Sequence, residues 1–89
     1  MIARRVVVHG QVQGVFFRAS CRRAAQEAGV AGWVRNRPDG TVEALFEGPD
    51  DGVRRMVEWA HHGPPHACVD RVDVTDEPPT GTSGFAVTG

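Results

Sequence analysis

The chain has 89 residues, with ten basic and eleven acidic side chains and a formal net charge of −1. Hydrophobic residues make up 40% and charged residues 24%, an ordinary globular balance that excludes disordered and collagen-like classes. A chain this short reads as one domain spanning residues 1–89, burying roughly 60–65% of the surface its unfolded form exposes. Near-neutrality argues against a general binder of nucleic acid or membrane surfaces, which needs a basic excess to attract phosphates at a distance. All ten cations are arginines, and Asn36 is the only asparagine. Two cysteines, Cys21 and Cys68, make neither a disulfide framework nor a four-ligand zinc site, so a reduced, cytoplasmic chain is expected. The apolar stretch near the start, Val6–Val8, is shorter than a signal-peptide core, and no run approaches the ~20 apolar residues of a membrane span.

Residues 4–10 (RRVVVHG) are β-branched and end in glycine, which predicts a strand. A short loop, GQVQG, follows from Gly10 to Gly14. From about Phe17 to Ala28 the period becomes helical, with Phe17, Cys21, Ala24, Ala25 and Ala28 on one face and Arg22, Arg23 and Gln26 outward. Gly29 stands where a helix-ending glycine belongs. Residues 30–36 and 41–47 predict two strands joined by Arg37, Pro38, Asp39 and Gly40, a turn in which proline presets φ and glycine supplies a positive one. Gly48, Pro49, Asp50 and Asp51 open a second helix, with acids in the first turn as its dipole favours. Val53, Met56, Val57 and Ala60 form its inner stripe, with Trp59 at the edge, and residues 61–65 close it. Residues 68–75 (CVDRVDVT) alternate with period two and predict a half-buried strand. After a Pro/Gly/Thr/Ser-rich loop, Phe85 and Val87 can add a short fifth strand.

The resulting order, β-α-β-β-α-β, predicts an α+β ferredoxin-like sandwich with two helices on one face of an antiparallel sheet. That plan hosts enzymes, RNA binders and regulatory modules alike, so function must be sought in a site.

The first loop is the most informative segment. A strand ends, Gly10 and Gly14 free the backbone, and a helix begins beside Arg18, so consecutive N–H groups can turn inward as an anion-binding nest. A cation at a helix start opposes the dipole by a few tenths to ~1 kcal/mol, which becomes intelligible when an anion lies between the guanidinium and the amides. The planar fork of Arg18 can hold two phosphate oxygens at once. On spacing alone, a solvated surface arginine on a glycine-containing turn is an equal reading. The loop lacks the Lys-Ser/Thr pair of a P-loop and does not match the dinucleotide G-x-G-x-x-G fingerprint, so no nucleotide is expected.

Two longer motifs then stand out. GQVQGVFFR (10–18) resembles the acylphosphatase signature G-x-V-Q-G-V-x-F-R, and GWVRNRPDGTVE (32–43) resembles that family's second signature, at the spacing the family uses. EGP (47–49) and VDRVDV (69–74) are similar as well, so the resemblance covers most of the chain. The C-terminus departs from it, ending in Thr88 and Gly89 where the family often has an aromatic or basic residue. The resemblance implies that the backbone amides of Gln11, Val12, Gln13, Gly14, Val15, Phe16 and Phe17 wrap a phosphate. It implies that Arg18 is the phosphate-binding guanidinium and that Asn36 positions the attacking water. The implied reaction is hydrolysis of an acyl phosphate to carboxylate and inorganic phosphate. The expected partners are a small-molecule acyl phosphate and inorganic phosphate as product and inhibitor. No cofactor, metal, nucleic acid or membrane is implied, and a monomer is expected. Such a substrate carries a good leaving group, so positioning and charge stabilisation can supply most of the catalysis. A neutral amide can orient water as donor and acceptor where a carboxylate would repel phosphate. On sequence alone Asn36 is equally a turn residue.

Competing readings are fewer. His61, His62, His66 and Cys68 can suggest metal ligands, but adjacent histidines diverge by about 100° on a helix and Pro64 and Pro65 interrupt the run, so a helix-terminal role is preferred. Cys21 reads as a small core residue rather than a nucleophile. His9 at a strand end reads as structural, and Trp33 and Trp59 as core or edge aromatics. A non-catalytic ferredoxin-like anion-binding module is the alternative function, since binding needs Arg18 but not Asn36. An RNA-binding version would need paired exposed aromatics on its central strands, and the first strand has none. The acylphosphatase-like domain of a larger carbamoyl-phosphate-processing enzyme is a third reading, against which no zinc-finger segment follows Gly89.

Overall fold

The computed structural model describes residues 1–89. In chain order the elements are β1 (Ile2–Gln11), α1 (Phe17–Ala28), β2 (Ala31–Asn36), β3 (Val42–Gly48), α2 (Asp50–Ala60), β4 (Cys68–Glu77) and β5 (Phe85–Val87). The sheet order is β4-β1-β3-β2-β5. β1 pairs antiparallel with both β3 and β4, and β2 with β3, whereas β5 runs parallel to β2 through Gly32–Phe85, Trp33–Ala86 and Val34–Val87. The expected βαββαβ sandwich forms, but the fifth strand makes the sheet mixed rather than antiparallel throughout.

The helices form where their apolar stripes find a partner. Phe17, Cys21 and Ala25 of α1 and Val53, Met56 and Ala60 of α2 are buried in one core with Val6, Val8, Val34, Val42, Ala44 and Phe46 from the inner face of the sheet. The β1–β3 register brings Val6 opposite Ala44 and Val8 opposite Val42, as a single covered face requires. Trp59 packs edge-to-face on Phe17 with ring centroids 5.1 Å apart, and Phe46 stacks on Phe85 at 6.0 Å. Gly29 closes α1 in the left-handed conformation, and Val30 N–H returns to Ala25 O at 2.9 Å. Pro49 precedes α2, its carbonyl accepting from Val53 N–H at 3.0 Å.

The outer face of the sheet is held by charge. Glu43 accepts from Arg5 Nη1 at 2.9 Å and Arg35 Nε at 2.7 Å, joining all three central strands. Its neighbour on that face, Glu47, is buried and accepts from Thr80 N–H (2.9 Å), Thr80 Oγ1 (3.3 Å) and Gly81 N–H (2.7 Å). These bonds pin the loop that carries the chain from β4 at one edge to β5 at the other. Gly32 N–H to Gly84 O and Thr88 N–H to Val34 O, both 2.9 Å, then dock β5 beside β2.

β4 is the element that departs most from expectation. Only Val69, Val72 and Glu77 are even half-buried, and Val74 is 43% exposed. The helices cover the middle of the sheet, and β4 lies at the edge. Its alternation is also broken: His9 faces Arg71 and Gly10 faces Val69, leaving Asp70 as the extra residue of a bulge. Gly10 has φ +129°, and a Cβ there would stand 2.2 Å from Cys68 O.

Candidate active site

The predicted GQVQG loop is two residues shorter at its start, because Gly10 and Gln11 belong to β1 and pair with Val69 and Cys68. Buried Val12 and buried Phe17 pin the ends of the remaining segment. Between them, Gly14 has φ +75° and Phe16 has φ 63° and ψ 24°, flanking Val15. No atom lies within 4 Å of a Cβ built on Gly14, so glycine is needed there for its backbone angle rather than for space. Phe16 O accepts the Ser20 N–H at 3.0 Å and starts α1, whereas the N–H groups of Gly14, Val15 and Phe16 find no acceptor within the chain. Successive free N–H groups in such a turn form a concavity suited to an anion, and the start of α1 adds the positive end of its dipole.

The Gln13 side chain has a role of its own, apart from its backbone amide. Its side-chain Nε2 donates to Arg37 O at 2.8 Å and Thr41 O at 3.0 Å, tying the loop to the β2–β3 turn. That turn is itself closed by Asp39, whose Oδ1 accepts from Thr41 N–H at 3.0 Å and Thr41 Oγ1 at 2.6 Å. Asn36 is the last residue of β2, opposite Val42, immediately before this turn. Its side-chain amide makes no hydrogen bond within the chain.

These pieces meet in a cleft of about 510 Å³. Val12, Gly14 and Phe16 line it from the loop, Phe17, Arg18, Ala19 and Arg22 from α1, Asn36 from β2 and Val87 from β5. Arg18 at the start of α1 and Asn36 at the end of β2 therefore share one cavity with the loop. The side chains of Gln11, Gln13 and Val15 lie outside its lining. Arg18 Nη1 donates to Gly89 O at 3.2 Å, and no Asp or Glu side chain lies within ion-pair distance of Arg18 or Arg22. α1 has no acidic residue in its first turn. The cleft thus offers free amides, two guanidinium groups and a neutral amide, with no carboxylate, histidine or thiol among its lining residues. This arrangement can hold a phosphate-sized anion and orient a water beside it, but it offers no side-chain nucleophile or general base.

Arg22, Ala19 and Val87 were missed by sequence reasoning. Helical spacing could have found Arg22, one turn beyond Arg18 on the same face. Val87 enters the cleft only through the parallel pairing of β5, which leaves no local signal.

The remaining candidates lie elsewhere. His61 Nδ1 is 2.8 Å from Val57 O and His62 Nε2 is 3.3 Å from Glu58 Oε1, both within one helical turn. No three His, Cys, Asp or Glu side chains converge to hold a metal ion. Cys21 is fully buried, and burial pushes its thiol far above the ordinary range, as befits a core residue. His9 Nε2 contacts Asp73 Oδ2 at 2.9 Å beside Arg71 at the β4 edge. Trp33 lies under the Arg35 guanidinium at 5.7 Å on the outer face. No helix is long and apolar enough to cross a membrane.

The sequence model of the acylphosphatase family matches residues 4–87. The chain is 57% identical over 84 residues to an acylphosphatase of Rubrobacter xylanophilus, covering 93% of this chain and 76% of that protein. It is 54% identical over 86 residues to one of Gloeobacter violaceus, covering 97% and 92%. The crystal structure of acylphosphatase from Bacillus subtilis superposes with a TM-score of 0.95 at 38% identity, each chain covered completely.

Proposed function

This chain belongs to the acylphosphatase family, and from that premise we propose how its cleft performs the hydrolysis. The protein is an acylphosphatase, a hydrolase that converts acyl phosphates to carboxylate and inorganic phosphate. The phosphoryl group sits in the 12–17 loop, its oxygens accepting from the free backbone N–H groups and from the Arg18 fork. Asn36 holds the attacking water through its side-chain amide, as donor and acceptor, in line with the bond to the leaving carboxylate. A phosphate oxygen takes the water's proton, since no side chain in the cleft can act as base. Negative charge gathering on the phosphoryl oxygens meets donors that are already aimed, which lowers the barrier without reorganisation. The observation that carries this reading is the meeting of Arg18, Asn36 and the unpaired loop amides in one cavity. In the same proposal the 89 residues act as a single-domain cytoplasmic monomer, free phosphate competes with substrate, and neither metal nor nucleic acid takes part.

Benzoyl phosphate hydrolysis with a chelator present and inorganic phosphate as competitor tests it. Robust turnover with competitive inhibition is expected. Asn36→Ala should lower kcat by ~10²-fold while leaving the phosphate inhibition constant within a few-fold, because it misplaces only the water. Arg18→Lys should weaken phosphate inhibition as well as turnover, an ammonium being unable to replace the fork. Parent-like turnover by Asn36→Ala would show that the water is held by something else, and an anion-binding module without turnover would bind phosphate but release no product.

A further inference from the structure

Phe16 is placed where neither folding nor backbone geometry asks for phenylalanine. It is the only non-glycine residue with positive φ, in a conformation that glycine reaches without penalty. The residue is 78% exposed and so adds little to the core. Yet it is one of only four large hydrophobic side chains left exposed, and another of the four, Val87 at 41%, lines the same cleft. A residue that strains the loop and stays in solvent is held for a group that arrives later.

The cleft's polar groups account for the phosphate and the water. Phe16, Ala19 and Val87 supply its open apolar side, and the part of the substrate still without a partner is the acyl group. We propose that Phe16 and Val87 form the acyl subsite, so that this acylphosphatase discriminates in favour of acyl phosphates with flat or branched apolar acyl groups over acetyl phosphate. The ring gives such a group a face to stack on, and Val87 covers it from the β5 side. The inference rests on the cleft being the phosphate site, and it adds a determinant of which acyl phosphate is used.

The test compares kcat/KM for benzoyl and acetyl phosphate in the parent protein and in Phe16→Ala, Phe16→Gly and Val87→Ala. The two substrates differ in intrinsic reactivity, and that difference cancels when their ratio is compared between proteins. Loss of the ring should lower the benzoyl-to-acetyl ratio about tenfold, and Val87→Ala should lower it by a few-fold. Phe16→Gly also relieves the backbone, so its thermal midpoint should rise while the ratio falls, which separates the ring's contact from loop strain. An unchanged ratio in both Phe16 variants overturns the acyl subsite, including the case in which both substrates slow equally because the loop has been distorted. A preference for acyl phosphates bearing a second carboxylate, abolished by Arg22→Ala, would overturn it in favour of a charged acyl group. Failure of the underlying site reading looks different: the parent's hydrolysis would then be insensitive to inorganic phosphate.

Discussion

Replacing Gln13 by alanine removes both hydrogen bonds that join the phosphate loop to the turn after Asn36. Each bond ends on a backbone carbonyl, Arg37 O at 2.8 Å and Thr41 O at 3.0 Å. Neither carbonyl is stranded by the change. Arg37 O still accepts from Gly40 N–H at 3.2 Å, and Thr41 O from Arg37 N–H at 2.9 Å. The cost is therefore two net hydrogen bonds without a desolvation penalty, about 1–3 kcal/mol in all. For a domain of this size each kcal/mol lowers the thermal midpoint by roughly 4–8 °C, so a fall of about 4–24 °C is expected by calorimetry. The functional effect is separable. Gln13 adjoins Gly14 and Arg37 adjoins Asn36, so the brace sets the distance between the amides and the water-positioning side chain. At a temperature well below both midpoints, kcat should fall between ~10- and ~100-fold, as a displacement of about 1 Å between reactants can cause. Gln13→Glu should do worse, since an acceptor-only carboxylate would face two carbonyl oxygens beside an anion site. A Gln13→Ala protein that melts lower but turns over at the parent rate would refute the positioning argument, and one unchanged in both would refute the brace.

Gly10→Ala should destabilise the fold by about 2–3 kcal/mol, because the new Cβ meets Cys68 O at 2.2 Å across a bulge that cannot easily open; a denaturant midpoint equal to the parent's would contradict this. Acid should unfold the protein through Asp39, Glu43, Glu47 and Asp73. Asp39 is held below the usual carboxylate value by the Thr41 hydroxyl and N–H, and Glu47 chiefly by the Thr80 N–H. Burial pushes Glu43 up, but its bonds to Arg35 and Arg5 outweigh that and leave it lowered; the contact with His9 leads in lowering Asp73. Their folded-state values lie below the unfolded ones, so the unfolded chain takes up protons first. Stability should be flat above about pH 5 and fall as the pH drops through the range below the ordinary carboxylate values near 4. Thermal midpoints that rise or stay level from pH 5 to pH 3 would reverse the sign.

What could be read from the sequence is what local chemistry decides. Phe17, Cys21 and Ala25 recur at helical spacing, Gly29 ends α1, and Pro38-Asp39-Gly40 closes the β2–β3 hairpin, all as observed. Gly14 and Arg18 were visible for the same reason, being adjacent to the element boundary they define. β4 was misjudged because its apolar alternation is a property of the strand, whereas its burial depends on where the helices end. The parallel docking of β5 depends on Glu47 capturing Thr80 and Gly81, residues more than thirty positions away. No window of sequence contains that interaction, and so Val87 could not be placed in the cleft beforehand.

The charge balance shows how a global quantity can mislead about a site. Ten arginines against eleven acids suggested no particular affinity for phosphate. The pairing, however, is uneven. Arg4 pairs with Asp76, Arg5 and Arg35 share Glu43, and Arg71 meets Asp73, so acids of the sheet neutralise cations of the sheet. The five arginines of the helices, Arg18, Arg22, Arg23, Arg54 and Arg55, have no Asp or Glu partner, and of these Arg18 and Arg22 line the cleft beside amides that are also unpaired. An arginine with a carboxylate partner would have to break that pair before meeting a substrate, at the expense of affinity. Leaving the cleft's two guanidinium groups without an acidic side chain costs the empty protein some repulsion along α1, a few tenths of a kcal/mol for charges one turn apart. An arriving phosphate removes that repulsion, so part of its binding energy is the relief of a strain built into the free fold. Near-neutrality and phosphate recognition are thus compatible, because acids of the sheet and its turn pair with Arg4, Arg5, Arg35, Arg37 and Arg71, whereas no acidic side chain lines the cleft that Arg18 and Arg22 share.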